Sequence, residues 1–190
     1  VEGIVLLLPA LVALIYREAS GIWFLVVSAV LGLLFFLTGK TVPKNRTIYG
    51  KEGFAVVGFG WILWSLFGAL PFTLSGSIPS YVDAFFETVS GFTTTGSTIL
   101  TDIEALPKGM LFWRSLTHWI GGMGVLVFVM MIANLEKKSS MFLMRAEVPG
   151  PEADKLVPKA RDTARLLYLM YFALTALEVV FLLFGGMNFY

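Results

Sequence analysis

The chain has 190 residues, 57% of them hydrophobic and 14% charged, with a mean hydropathy of +0.80; a soluble domain of this length has no core large enough to hide so much apolar surface, so the chain belongs in a membrane. Its 14 Lys and Arg nearly balance 13 Asp and Glu, so net charge points to no acidic partner, and no nucleic acid is expected as one. The absence of cysteine excludes disulfides, iron–sulfur clusters and thiolate zinc sites.

Crossing about 30 Å of hydrocarbon takes about 20 apolar helical residues. In chain order the candidate spans are 3–16, which is short, then 21–38, 53–72, 109–134 and 164–187. The first lacks the basic n-region and cleavage site of a signal peptide, so none is expected. Starting at Val1 and ending in an apolar stretch at Tyr190, the chain reads as a piece of a longer protein.

Lys and Arg are held on the cytoplasmic side in short loops. The loop 39–52 carries Lys40, Lys44, Arg46 and Lys51, and the stretch 135–165 carries Lys137, Lys138, Arg145, Lys155, Lys159, Arg161 and Arg165, together eleven of the fourteen cations. The opposite loops hold only Arg17 and Lys108. This asymmetry puts the N-terminus inside and the 73–108 connection outside, and both basic loops lie inside only if 73–108 does not cross.

Within that connection, Ser80 followed three residues later by Asp83 is a capping-box pattern that starts a helix over 81–91. Such a helix is about 16 Å long, half a bilayer. Gly91 suits its C-terminal end. The spacing predicts a re-entrant helix whose chain returns through "FTTTGSTILTD", residues 92–102. Irregular backbone at membrane depth is tolerated where protein buries it or where it lines a watery path. A small-residue strand exposes a row of carbonyl oxygens, and four such rows around an axis replace the hydration shell of a cation. Gly96 supplies backbone freedom, and the negative end of the preceding helix favours positive charge. The competing reading is a Thr/Gly-rich turn between helices.

The stretches "AFFETVSGFTTTGST" at 84–98 and "FWRSLTHWIGGMG" at 112–124 resemble the first membrane–pore–membrane repeat of the Trk/Ktr/HKT superfamily of potassium transporters, TrkH-type membrane subunits most of all. The resemblance implies an all-α membrane protein: a leading transmembrane helix pair over 1–40, a repeat over 50–134, a cytoplasmic linker over 135–162, and the first helix of a second repeat over 163–190. Within the repeat it implies a helix at 53–72, a pore helix at 81–91, a filter at 93–98 and a helix at 109–134. It also implies that K+ meets the backbone carbonyls of Thr94, Thr95, Gly96 and Ser97, with Thr93, Glu87 and Gly91 as filter support. Glycine at position 96 goes with potassium selectivity, since some sodium-transporting relatives carry serine there. The resemblance further implies a plasma- or inner-membrane location, a homodimer of full-length subunits and a cytoplasmic nucleotide-binding regulatory subunit. No cofactor is expected besides the transported ion, and the only other contact is membrane lipid.

Internal repetition is visible too: "LFGALPF" at 66–72 recurs as "LFGGMNF" at 183–189, an offset of 117. Gly121, Gly122 and Gly124 serve helix packing against the re-entrant helix or a hinge. Arg114 and His118 share a helix face, and Arg114 is expected to snorkel or to pair with Asp102 or Glu104 as a packing or gating group. Glu178 is expected as a packing group within the last span. Two rivals to a potassium pathway are a membrane-embedded hydrolase built on His118, which lacks a G-x-S-x-G or H-E-x-x-H motif, and a structural subunit without its own pore.

Overall fold

The computed structural model describes residues 2–39, 50–125 and 160–186, and every regular element among them is a helix. The described residues fall into two units, divided between Gly122 and Met123. The basic loop 40–49, the linker 135–159 and the inner part of the fourth expected span, 126–134, lie outside them.

In the first unit the short first span is interrupted, giving α1 (Glu2–Val5) and α2 (Leu7–Ile15). Pro9 has no N–H to offer the Val5 carbonyl one turn back, so the regular ladder fails there, while the Leu6 N–H still donates to the Glu2 carbonyl at 2.9 Å. Helix α2 ends in a Schellman motif with Arg17 in the left-handed region at φ 57°: the Arg17 N–H donates to the Leu14 carbonyl and the Glu18 N–H to the Ala13 carbonyl. The chain then turns back as α3 (Gly21–Gly39). Small residues let these helices approach: a side chain at Gly21 would meet the Ala13 Cβ at 3.0 Å, and the Ser28 hydroxyl donates to the Gly3 carbonyl at 2.6 Å.

Helix α4 (Gly50–Leu74) runs slightly beyond its expected span at both ends and tolerates Pro71 in its last turns. After a turn at Gly76 (φ 75°) comes α5 (Tyr81–Phe92), one residue longer than expected and about 18 Å long. Ser80 caps it as the pattern predicts, its hydroxyl accepting the Asp83 N–H at 3.4 Å, which is one half of the capping box. A turn at 93–94 and an irregular stretch over 95–100 lead to a turn in which Asp102 accepts the N–H groups of Glu104 and Ala105. Helix α6 is then continuous from 108 to 125.

The N-terminus of α6 is closed from far away in sequence. Glu18 accepts the N–H groups of Lys108 at 2.6 Å and Gly109 at 2.9 Å, satisfying two orphan donors where negative charge is favoured. The α2–α3 turn therefore sits at the end of the bundle where α6 begins. Trp113 locates α4 against that end, because its Nε1–H donates to the Gly68 carbonyl at 2.9 Å. Trp113 lies about 8 Å along α6 from its start and Gly68 about 9 Å from the end of α4. The stretch between the two helices thus starts and finishes at one end of the bundle.

The core of this unit surrounds Phe92, the last residue of α5. Trp61, Trp64 and Trp113 pack around its ring with centroids 5.9, 5.7 and 6.2 Å away, and Phe24 meets Trp113 edge-on at 6.4 Å. Among the described residues, three helices are long and apolar enough to cross a membrane, over Gly21–Gly39, Ala55–Leu74 and Ala164–Phe184.

The described part of the second unit consists chiefly of α7 (Ala160–Phe184). Glu178, expected as a packing group, is exposed on it. The two copies of the heptapeptide differ where both are described: 66–69 is helical, whereas α7 stops at Phe184 and Gly186 turns left-handed at φ 81°. The first copy has Ala69 where the second has Gly186, and only glycine enters that region without steric cost.

Candidate functional site

The threonine run begins where α5 ends, and the ending is a second Schellman motif. The Thr94 N–H donates to the Gly91 carbonyl and the Thr95 N–H to the Ser90 carbonyl, both at 2.9 Å. The left-handed residue is Thr94, at φ 56°. A β-branched side chain there costs about 1–2 kcal/mol relative to right-handed backbone. Gly91 is therefore not the helix terminus that its position suggests. It lies inside the last turn, and a Cβ there would collide with the Thr117 hydroxyl of α6.

Two residues on, Gly96 is left-handed again at φ 77°, with open space around it. Thr94 and Gly96 thus alternate in hand with the residues between and after them. Residues 93–99 are exposed.

The hydroxyls are used locally. Thr93 donates to the Val89 carbonyl at 2.7 Å and lies 2.8 Å from the Thr95 hydroxyl, while Thr94 donates to the Thr93 carbonyl at 2.7 Å. The Ser97 carbonyl, one of the four expected to face an ion, accepts the Ser90 hydroxyl at 2.6 Å, so one of its lone pairs is already engaged.

Behind this strand lies Glu87, 1% exposed. Its Oε2 accepts the Thr98 hydroxyl at 3.0 Å and the Ile99 N–H at 3.2 Å, and its Oε1 pairs with Nε of Arg114 at 2.5 Å. Arg114 is thus held by Glu87, not by Asp102 or Glu104: Asp102 is occupied by the turn that it closes, whereas Glu87 is buried and needs a cation.

Helix α5 is gripped from both sides. On α4, the Ser65 carbonyl accepts the Thr88 hydroxyl at 2.9 Å and the Leu66 carbonyl accepts the Tyr81 hydroxyl at 2.9 Å. On α6, Gly121 lies so close that a Cβ would fall 2.5 Å from the Phe92 carbonyl oxygen and 2.9 Å from that of Gly91. Gly121 is buried; Gly122 and Gly124 are half-buried. Thr117 and His118 both bond to the Arg114 carbonyl, the hydroxyl at 2.6 Å and Nδ1 at 3.0 Å. No group of three or more acidic or histidine side chains suited to a metal ion occurs among the described residues.

Sequence reasoning did not reach the Glu18 cap, the Ser90–Ser97 bond or the ring cage around Phe92. For the last, a signal existed in Trp61, Trp64 and Trp113, three of the chain's five tryptophans. For Glu18 there was none, because 90 residues separate it from Lys108.

The family model for the TrkH cation transport proteins matches residues 20–187. The chain is 39% identical over 189 residues to the Trk system potassium uptake protein TrkH of Escherichia coli, covering 96% of this chain and 38% of that protein. It is 35% identical to the TrkG protein of the same organism, over 94% of this chain and 38% of that one. The crystal structure of the potassium transporter TrkH from Vibrio parahaemolyticus superposes with a TM-score of 0.74 at 31% identity, over 98% of this chain and 37% of that chain. The chain thus spans a little over a third of the length of the relatives that it matches.

Proposed function

Because the chain belongs to the TrkH cation transport family, we propose that the full-length protein takes up potassium across the cell membrane and that residues 93–98 are one of four backbone ladders forming its selectivity filter. The observation that carries this reading is the backbone at Thr94 and Gly96. Two left-handed residues separated by one follow the short helix in an exposed stretch, a backbone that in this reading turns its carbonyl oxygens toward the ion. In this reading Thr94, Thr95 and Gly96 offer carbonyl oxygens to K+, Ser97 offers its remaining lone pair, and Thr93, Glu87 and Gly91 support them.

The architecture follows as the notional plan of the family: a leading helix pair, a helix–pore helix–filter–helix repeat, and α7 as the first helix of the next repeat. In this reading the basic loops lie inside, with the N-terminus, and the filter mouth lies outside. A homodimer and a nucleotide-binding subunit on the cytoplasmic side complete the proposal. The relatives are potassium uptake proteins and not enzymes, which removes the hydrolase alternative.

In the full-length protein, Gly96→Ser is expected to weaken discrimination of potassium over sodium and Gly96→Asp to abolish uptake. Unchanged growth on limiting potassium with Gly96→Asp in place would sink the filter assignment.

A further inference from the structure

The outgoing arm of the exposed strand is fastened to α5 at two adjacent points. Ser90 donates to the Ser97 carbonyl, and three residues earlier on the same helix face Glu87 accepts from Thr98 and Ile99. The incoming arm is fastened by the helix cap at Thr94 and Thr95. Gly96 therefore hangs between two anchors, and the outgoing anchor rests on the Ser90 hydroxyl and one buried carboxylate.

That carboxylate also binds Arg114 of α6, whose side chain is 14% exposed. A buried ion pair adds little net stability over an apolar pair of the same shape, so stability alone does not account for it. Its charge-assisted bonds are short and directional, which fixes positions. A carbonyl filter distinguishes cations by where its oxygens sit and how far they yield. Holding 97–99 in place sets both quantities for 94–96.

We propose that Glu87 and Arg114 form a specificity-determining support for the filter. Glu87 positions the outgoing arm directly; Arg114 acts through Glu87, orienting its carboxylate and cancelling a negative charge that would otherwise attract cations of any size. Neither touches the ion, so both are positioning residues. The inference rests on the filter reading above.

The test measures the ratio of potassium to sodium uptake by the full-length protein reconstituted in liposomes, a ratio independent of how much protein is present. In Glu87→Gln the single amide oxygen cannot serve the arm and Arg114 together, and the ratio is expected to fall about tenfold, the worth of one charge-assisted hydrogen bond. Arg114→Met is expected to lower it similarly. In the double variant Glu87→Gln/Arg114→Met the amide oxygen is free to face Thr98 and Ile99, so the ratio should recover to within about threefold of the parent. Thr98→Val, which leaves the buried charge untouched, should lower the ratio in the same direction.

A merely structural pair would reduce yield in these variants and leave the ratio alone. If Glu87→Gln and Thr98→Val keep the parental ratio while Gly96→Ser loses it, the support role is wrong and the filter stands. If Gly96→Ser also keeps it, the filter reading itself fails. A double variant no better than Glu87→Gln would show that Arg114 does not act through Glu87. Should Arg114→Met fail to reconstitute, the comparison of Glu87→Gln with the double variant still decides.

Discussion

Replacing Gly121 with alanine adds one methyl group at the tightest contact between α6 and the end of α5. The new Cβ would stand 2.5 Å from the Phe92 carbonyl oxygen, 2.9 Å from the Phe92 carbonyl carbon and 2.9 Å from the Gly91 oxygen. These are backbone atoms and cannot rotate away. Relief requires α5 and α6 to separate by roughly half an ångström or more, which for overpacked interiors costs about 1–3 kcal/mol. Alanine returns about 1 kcal/mol through its better helix propensity, leaving a net loss of about 0–2 kcal/mol.

A glycine serving as a hinge makes the opposite forecast, since alanine would then stiffen and stabilise the helix. The assay is thermal unfolding of the purified full-length protein followed by tryptophan fluorescence, to which Trp61, Trp64 and Trp113 around Phe92 contribute. Gly32→Ala is the internal control, because apart from its own helix backbone and chain neighbours nothing lies within 4 Å of its added Cβ, and it should gain up to about 1 kcal/mol. The packing argument predicts that Gly121→Ala melts below Gly32→Ala and has lower potassium uptake, since the shift begins at the residues leading into the filter. Equal or higher melting of Gly121→Ala with full uptake would refute it.

Three further outcomes are expected. Glu18→Ala strips the cap from two N–H groups of α6 and should destabilise the protein by about 1–2 kcal/mol, read as a lower unfolding midpoint; an unmoved midpoint would show that water replaces the carboxylate freely. Arg17→Gly relieves a left-handed side chain at an exposed turn and should raise the midpoint by the equivalent of about 0.5–1 kcal/mol without changing uptake. Trp113→Phe leaves the Gly68 carbonyl without its indole donor, a loss of about 1–3 kcal/mol for a buried acceptor, and a melting curve like the parent's would count against that bond.

Much of the fold was legible because membranes impose strict rules on a chain. Each crossing needs a long apolar run, so α3, α4 and α7 stand out in composition alone. The helix at Tyr81 was readable from Ser80 and Asp83, since a cap is a local device with a local pattern. The break between α1 and α2 was missed although Pro9 marks it, because hydropathy does not register a missing N–H. The two copies of the heptapeptide each lie at the end of an apolar helix, but four shared residues do not impose one backbone where Gly186 replaces Ala69.

What the sequence by itself determined is the one-dimensional part of this protein: where the long apolar runs lie, where small residues leave the backbone free, and which motifs match a family of cation transporters. Only the tertiary structure decided the partners. That Arg114 pairs with Glu87, that Gly91 makes room for Thr117 instead of ending a helix, and that Glu18 caps a helix 90 residues away all depend on which surfaces meet. A buried charge or an orphan N–H takes whatever complementary group folding brings within reach, and sequence distance carries no information about that.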